Sequence, residues 1–387
     1  MSLKNLALIS TFFSLALFQA EALGQQKQTN QKQAYQKQSS KKQVDQPRNE
    51  KAIRRQFAKI QSDMKSGKVR FIGKRPTFKI APNRILQFPE RAVTGEMIPR
   101  NIRQIAGEQR KIAKAKLAVE GELIKAAVAK GTLKVPVVPE SCSTRASRFD
   151  WRNYGKVTPV KNQGNCGSCT TFATAGAFEG NNAVRNNLLW DSSEQHLLSC
   201  TAVNCATGGS RSTLAQYMVD TGTSTEAAYP YTTSDSACNA TIPTPHDAIA
   251  WDFVSGATPT VNELKEALCT YGPIAIGIWS TGAFRAYAGG IFNETVTNSS
   301  SNHAITLVGW DNRNGGSWII KNSWGTDWGE NGYGRVAWGS NNVGRWANWI
   351  QAPLRALRIS PDRWRQIWKQ RRIPPRNRFI PRSKLPR

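Results

Sequence analysis

The placement of cysteine constrains this chain more than any other feature. All seven cysteines (Cys142, Cys166, Cys169, Cys200, Cys205, Cys238 and Cys269) lie between positions 142 and 269 of 387 residues. In an oxidising compartment, an odd count predicts three disulfides and one free thiol. The amino terminus points to such a compartment. Lys4 precedes an apolar run from Leu6 to Phe18, and Ala20-Glu21-Ala22 follows as a small-x-small cleavage pattern, so residues 1–22 read as a secretory signal peptide. The run is shorter than the roughly 20 residues needed to span a bilayer, and no later segment is apolar enough to do so.

Charge divides the chain at the same places. The formal net charge is +27, which in a uniform domain suggests a polyanion binder. It is not uniform: residues 1–141 carry +18, residues 142–353 carry −2 and residues 354–387 carry +11. A near-neutral middle therefore sits between two basic flanks, and a single basic nucleic-acid domain is excluded. Residues 25–47 are rich in Gln and Lys and too polar to order themselves. Helical spacing appears near 50–65 and 101–130, with a Pro-broken extended stretch, 71–90, between them. Residues 132–139 form a Pro-punctuated link. Ser360-Pro361-Asp362 starts a short basic amphipathic helix with Trp364, Ile367 and Trp368 on one face, suited to an anionic surface or to packing on the chain itself.

The free thiol has a candidate in Cys169. The residues after it have helical spacing, which places it at a helix N-terminus, where the dipole and unpaired N–H groups favour a thiolate. Its proton partner must come from three histidines. His196 lies in a polar helix-like stretch and His246 in a turn. His303 stands at the mouth of an apolar run, Ala304 to Trp310, that reads as a buried strand.

Four blocks occur in order: FDWRNYGKVTPVKNQGNCGSC, DSSEQHLLSC, SNHAITLVGW and KNSWGTDWGENGYGR. Together they resemble the signatures of papain-family cysteine peptidases, over about 149–353. The resemblance implies an α+β fold of two lobes, one helical and one β-barrel-like, with a cleft between them. It implies a secreted precursor of a cysteine endopeptidase, with a signal peptide at 1–22, a basic, mostly helical or disordered pro-region at 23–140, the peptidase domain at 141–353 and a basic extension at 354–387. It assigns Cys169 as nucleophile, His303 as its partner and Asn322 as the residue orienting the imidazole. Gln163 becomes an oxyanion donor with the Cys169 backbone N–H, and Trp324 covers the His–Asn hydrogen bond. By the same resemblance Cys166 pairs with Cys205 and Cys200 with Cys238, leaving Cys142 and Cys269 for a third bridge or as two thiols.

Gly208 and Gly209 resemble the glycine pair along which substrate backbone runs. Ser210, Gly277, Ser301 and Asn302 are candidates for the adjoining pocket, and their neutrality suggests a small or neutral preferred residue. No His-containing insertion follows Gly209, which favours an endopeptidase over a dipeptide-trimming enzyme. One departure stands out: Thr170 replaces the aromatic usual after the nucleophile, which predicts altered packing rather than lost chemistry. Expected partners are protein substrates, the pro-region as inhibitor and an anionic polymer or membrane at 354–387, with no metal, cofactor or specific nucleic acid. The competing reading is an inactive relative that binds anionic polymers through its flanks. Secretion is the expected destination, or a periplasmic, lysosomal or vacuolar one. Asn239, Asn293 and Asn298 begin glycosylation sequons.

Overall fold

In a computed structural model of the chain, residues 47–133 and 138–380 are described. The expected signal peptide, nearly all of the Gln/Lys-rich stretch, residues 134–137 of the link and the last residues of the basic tail lie outside them. The N-terminal flank contributes helix α1 (Glu50–Lys65), strands β1 (Arg70–Phe71) and β2 (Thr77–Ile80), the one-turn α2 (Glu90–Val93) and the long α3 (Ile102–Ala129). Next come β3 (Arg148–Asp150), α4 (Cys169–Asn186), α5 (Glu194–Cys200), α6 (Arg211–Asp220), β4 (Ala250–Phe253) and α7 (Val261–Tyr271). The strand-rich part holds β5 (Ile274–Ile278), α8 (Gly282–Arg285), β6 (Tyr287–Phe292), β7 (Glu294–Thr295), β8 (His303–Asp311), β9 (Ser317–Lys321), β10 (Tyr333–Ala337) and β11 (Arg345–Gln351), and α9 (Pro361–Gln370) follows.

Nine strands form one sheet in the order β2-β6-β10-β9-β8-β5-β11-β4, with β3 beside β8. The pairing of β10 with β6 is parallel and the others are antiparallel. The α+β class is as expected, but the barrel-like lobe is an open sheet, with β2 and β4 at the ends of its path. Strand β2 comes from the flank and covers the edge of β6, which would otherwise expose unpaired backbone. The apolar run after His303 is the interior strand β8, paired on both sides and buried from His303 to Trp310.

Helix α4 crosses this sheet at close range, and its sequence explains why. Cys169, Ala173 and Ala177 recur every fourth residue, so they share one face. That face clusters with Ala275 of β5 and Ala304 of β8. Gly176 and Gly180 lie beside it. A Cβ on Gly176 would stand 2.8 Å from Thr306 Oγ1, and one on Gly180 would stand 2.5 Å from the Pro273 ring. With only small residues on this face of the helix, the first residue of α4 is delivered directly to the strand that begins with His303.

The three disulfides pair Cys142 with Cys269, Cys166 with Cys205 and Cys200 with Cys238, which leaves Cys169 free and buried. The Cys166–Cys205 bridge stands three residues before α4, Cys200–Cys238 ties the end of α5 to the following loop, and Cys142–Cys269 ties the start of the cysteine-rich segment to α7. Asn293 is buried and donates to the Ile72 and Arg75 carbonyl oxygens, so this sequon is occupied by structural hydrogen bonds.

The two basic flanks meet each other. Trp364 and Trp368 stack with ring centroids 4.8 Å apart, are buried, and place the Trp368 ring 5.5 Å from Lys116 Nζ of α3. Asn377, also buried, donates to the Ile105 carbonyl at 2.8 Å. The apolar face of α9 is therefore covered by its own chain, while Arg363, Arg365, Lys369, Arg371 and Arg372 stay exposed. Like charges are offset by the pairs Arg371–Glu122 and Arg378–Glu108.

The helix–sheet contact makes an unusual substitution informative. Gly180→Ala should gain up to about 1 kcal/mol of helix propensity. The stiff Pro273 ring cannot move aside, and overpacking of this kind costs about 1–3 kcal/mol. The expected outcome is a net loss, read as a fall of several degrees in the thermal unfolding midpoint; an increase would show that the sheet yields to the helix.

Candidate active site

Cys169 is the first residue of α4, and Ser168 before it makes no side-chain capping bond. The first-turn N–H groups are thus left uncapped by that side chain. The thiol accepts a hydrogen bond from the Ala304 backbone N–H at 3.4 Å, which fixes it against the residue next to His303. The His303 imidazole is buried, stacks on Trp324 with centroids 4.4 Å apart, and meets Asn322 Oδ1 through Nε2 at 2.9 Å.

These contacts define the imidazole's protonation. Asn322 Oδ1 also accepts the Ser323 backbone N–H at 2.9 Å, so that atom is the amide oxygen. An oxygen acceptor requires His303 Nε2 to carry the proton. Nδ1 is then the basic nitrogen, and it is buried with no hydrogen-bond partner in this structure. The ring presents a free lone pair while its far side is held.

Gln163 stands beside this group. Its backbone N–H donates to the Ser323 carbonyl at 2.8 Å, and Oε1 accepts from Ser323 Oγ at 2.7 Å. Nε2 is thereby turned toward the cleft, where it donates to the carbonyl oxygens of Cys166 at 2.8 Å and of Val93 at 3.1 Å. Trp324 Nε1 donates to the same Val93 oxygen at 3.0 Å. Val93 belongs to the N-terminal flank, so a flank carbonyl hangs on the amide expected to serve as an oxyanion donor.

The flank continues through the cleft. Gly95 N–H donates to the Asn302 carbonyl at 2.9 Å, Gly209 N–H donates to the Gly95 carbonyl at 2.8 Å, and Met97 N–H donates to the Gly209 carbonyl at 2.9 Å. The approach is close enough to demand glycine: a Cβ on Gly95 would lie 1.9 Å from the Gly167 oxygen, and one on Gly208 would lie 1.8 Å from the Gly95 oxygen. Gly208, Gly209 and Asn302 are thus where an extended backbone runs along the wall. Next to them, Glu96 pairs with the buried Arg211 at 2.6 Å. Sequence reading missed both partners. Arg211 lies two residues past Gly209 and was the available signal for a charged rather than neutral pocket.

Burial decides the ionisation of this covered site. It pushes the Cys169 thiol up to about 12, with the Ala304 N–H only partly opposing it and the Glu96 carboxylate adding to the rise. It pushes His303 down to about 4 against the pull of the Asn322 hydrogen bond. Thiol and imidazole are both neutral near pH 7, unlike the thiolate expected from the helix terminus. The helix dipole acts on Cys169, but loss of water under the flank segment outweighs it.

The remaining candidates lie elsewhere. His196 accepts the Ser224 N–H at 3.0 Å, and His246 meets Ser192 Oγ at 3.1 Å while stacking on Trp190. His196, Cys200 and Cys238 come together, but the two sulfurs are bonded to each other and offer no thiolate to a metal. Thr170 is buried and its hydroxyl has no partner. Behind Asn322, Lys161 binds Glu194 at 2.7 Å and Asp191 at 2.8 Å, and Lys321 donates to Thr158, which donates to Glu179. Burial raises Glu194 well above the usual carboxylate range and lowers Lys321 to about 8.

A helix-borne thiol, a strand-borne imidazole held by an amide, and a second amide facing the same cleft define a thiol–histidine site built between a helical layer and a sheet. The family model described as papain family cysteine protease matches residues 145–353, and the chain belongs to that family. The chain is 35% identical to cathepsin L of Sarcophaga peregrina over 223 residues, 55% of this chain and 65% of that protein. It is 41% identical to zingipain-2 of Zingiber officinale, over 49% of this chain and 86% of that one. With cathepsin K of Gallus gallus the identity is 39%, over 51% and 60%. The chain thus matches somewhat less than two thirds of the length of these cathepsins. In fold it is similar to digestive procathepsin L 3 of the Tenebrio molitor larval midgut, with a TM-score of 0.56 and 24% identity, over 84% of this chain and 99% of that one.

The covered thiol predicts a distinctive reactivity. In the intact chain, alkylation of Cys169 by iodoacetamide should climb about tenfold per pH unit from pH 6 to 9 without a plateau, because the thiolate fraction still rises below a pKa of about 12. Removing the flank by limited proteolysis should accelerate the reaction at pH 6 at least about 100-fold and bring a plateau below pH 7. A plateau below pH 7 in the intact chain would contradict the burial argument.

Proposed function

We propose that this chain is the secreted precursor of a cysteine endopeptidase whose N-terminal region, residues 23–140, inhibits the peptidase domain, 141–353, by lying through its cleft. The observation that carries this reading is the pairing of His303 Nε2 with Asn322 Oδ1, which leaves a bare Nδ1 beside a buried thiol. The mature polypeptide's likeness to zingipain-2 and the cathepsins, and the fold likeness to a procathepsin, support it. The signal-like Leu6–Phe18 run supports secretion, and among the described residues no helix is long and apolar enough to cross a membrane.

The chemistry follows from the atoms. Cys169 gives its proton to His303 Nδ1, and the ion pair so formed is held by Asn322 through Nε2. The thiolate sulfur attacks the substrate carbonyl carbon. The carbonyl oxygen takes the negative charge and is stabilised by Gln163 Nε2–H and the Cys169 backbone N–H. Collapse breaks the C–N bond, and His303 protonates the departing amine. Water, deprotonated by the same nitrogen, then hydrolyses the thioester and restores the thiol. Trp324 shields the His303–Asn322 hydrogen bond from water throughout.

In this reading the precursor is silenced at Val93. Its carbonyl takes the Gln163 donor that the oxyanion would need, and the chain beyond it takes the Gly209 and Asn302 backbone groups. Cys169→Ala should abolish thiol-dependent peptide hydrolysis, and Gln163→Ala should lower kcat about 10²- to 10³-fold. If the matured wild type hydrolyses no peptide of a broad fluorogenic library, the family fold serves here as an inactive binding scaffold instead. Gly95→Val tests the inhibitor separately. Its side chain collides with the Gly167 carbonyl, so the uncleaved variant should hydrolyse peptides that the uncleaved wild type does not.

A further inference from the structure

We propose that Arg211 makes the cleft select an acidic side chain, glutamate or aspartate, within about three residues of the cleaved bond. The proposal rests on the endopeptidase reading above and specifies its substrate class.

Arg211 is built into the domain as a fixed cation. Its side chain is 3% exposed. Nη1 donates to the carbonyl oxygens of Ala275 and Trp346 and to Asn348 Oδ1, and Nη2 donates to the Arg345 carbonyl. All four acceptors are neutral and belong to the domain. They orient the guanidinium without cancelling its charge, and they leave Nε and one edge of Nη2 facing the pocket. There the Glu96 carboxylate sits at 2.6 Å. Among the described residues, the carboxylate that pairs with Arg211 is this one, and it comes from the flank.

The rest of the pocket suits a second carboxylate oxygen. Glu96 Oε2 is buried without a partner, and so are the Ser301 hydroxyl and the Asn348 amide nitrogen, two groups able to donate. Gly277 makes the space: a Cβ there would lie 2.5 Å from Glu96 Oε2 and 2.6 Å from Ser301 Oγ. A side chain at position 277 would close the place where the carboxylate rests.

The pocket is near the reacting carbonyl. Glu96 is three residues from Val93, whose oxygen lies on Gln163 Nε2, and an extended chain advances only ~3.5 Å per residue. Glu96 and Arg211 also both act electrostatically on the Cys169 thiol. Once the flank leaves, the guanidinium keeps its four neutral acceptors and loses the carboxylate that paired with it. An uncompensated buried charge is strongly unfavourable, and a carboxylate presented bidentately is its best partner. Glu96 therefore acts as a stand-in for the substrate side chain, not only as a latch for the flank. A latch alone would not need four domain acceptors holding the arginine in place.

The test uses the product matured from the full-length chain and paired fluorogenic peptides that differ only in Glu versus Gln, placed in turn at each of the three positions on either side of the bond. At one position kcat/KM should favour Glu about 10- to 100-fold. Arg211→Gln should bring that ratio close to one. Should this variant misfold, the wild-type peptide pairs still decide the matter. Cleavage with no preference for Glu at any position overturns the selection of acid and leaves the protease reading intact. Failure to cleave any peptide, with Cys169 unlabelled by a thiol-reactive peptide epoxide, overturns both.

Discussion

The structure depends on how closely α4 can lie against the sheet. The Ala173–Ala177 row, with Gly176 and Gly180 beside it, removes side-chain bulk from the interface, and the helix settles against Ala275 and Ala304. Everything chemical follows from that distance. Cys169 is one helical turn before Ala173, so it is set on the same face and meets the backbone of Ala304. Residue 303 then has no choice but to be its neighbour. The thiol and the imidazole are thus brought together by the packing of small residues around them, in two elements 134 positions apart.

Two opposing effects act on the thiol. A helix N-terminus stabilises negative charge by something on the order of 1 kcal/mol where water is present. Dehydration opposes it more strongly where water is absent. The balance is set by the flank segment around Val93, which fills the cleft and adds a carboxylate, Glu96, to the surroundings of Cys169. The same bonds that cover the site also occupy its donors, so the flank blocks access and ionisation together. The His303–Asn322 contact survives under the cover because the Asn322 oxygen is fixed from its own backbone side by Ser323.

Local chemistry was legible in the sequence and long-range docking was not. Cys169 could be found because helical spacing begins at it, His303 because a buried strand begins after it, and Asn322 and Gln163 because their short blocks resemble the family's. The open form of the sheet was not legible, since strand spacing does not reveal whether its ends meet. Nor was the role of the flank: Val93-Thr94-Gly95-Glu96-Met97 has no periodicity, and its conformation is imposed by Asn302, Gly209 and Gln163, residues far away in sequence. Arg211 was overlooked for a related reason. A charge at the start of a helix ordinarily faces solvent, and only the convergence of β5, β11 and α6 shows that this one faces inward.

The excess positive charge of both flanks looked like a reason for them to seek anions elsewhere, yet they pack on one another. The explanation is that the contact is apolar and hydrogen-bonded around one buried lysine, Lys116, while the arginines of α9 stand exposed at its rim. The Trp368 ring lies 5.5 Å from Lys116 Nζ, burial lowers that lysine to about 8, and Asn377 satisfies the backbone of Ile105. The arrangement also bears on the cleft. Residues 94–97 belong to no helix or named strand, but β2 joins the sheet on one side of them and α3, with the C-terminal extension laid over it, joins the domain on the other. A short segment tethered at both ends has a high effective concentration at its site, so modest local hydrogen bonds are enough to keep Val93 on Gln163 and Glu96 on Arg211.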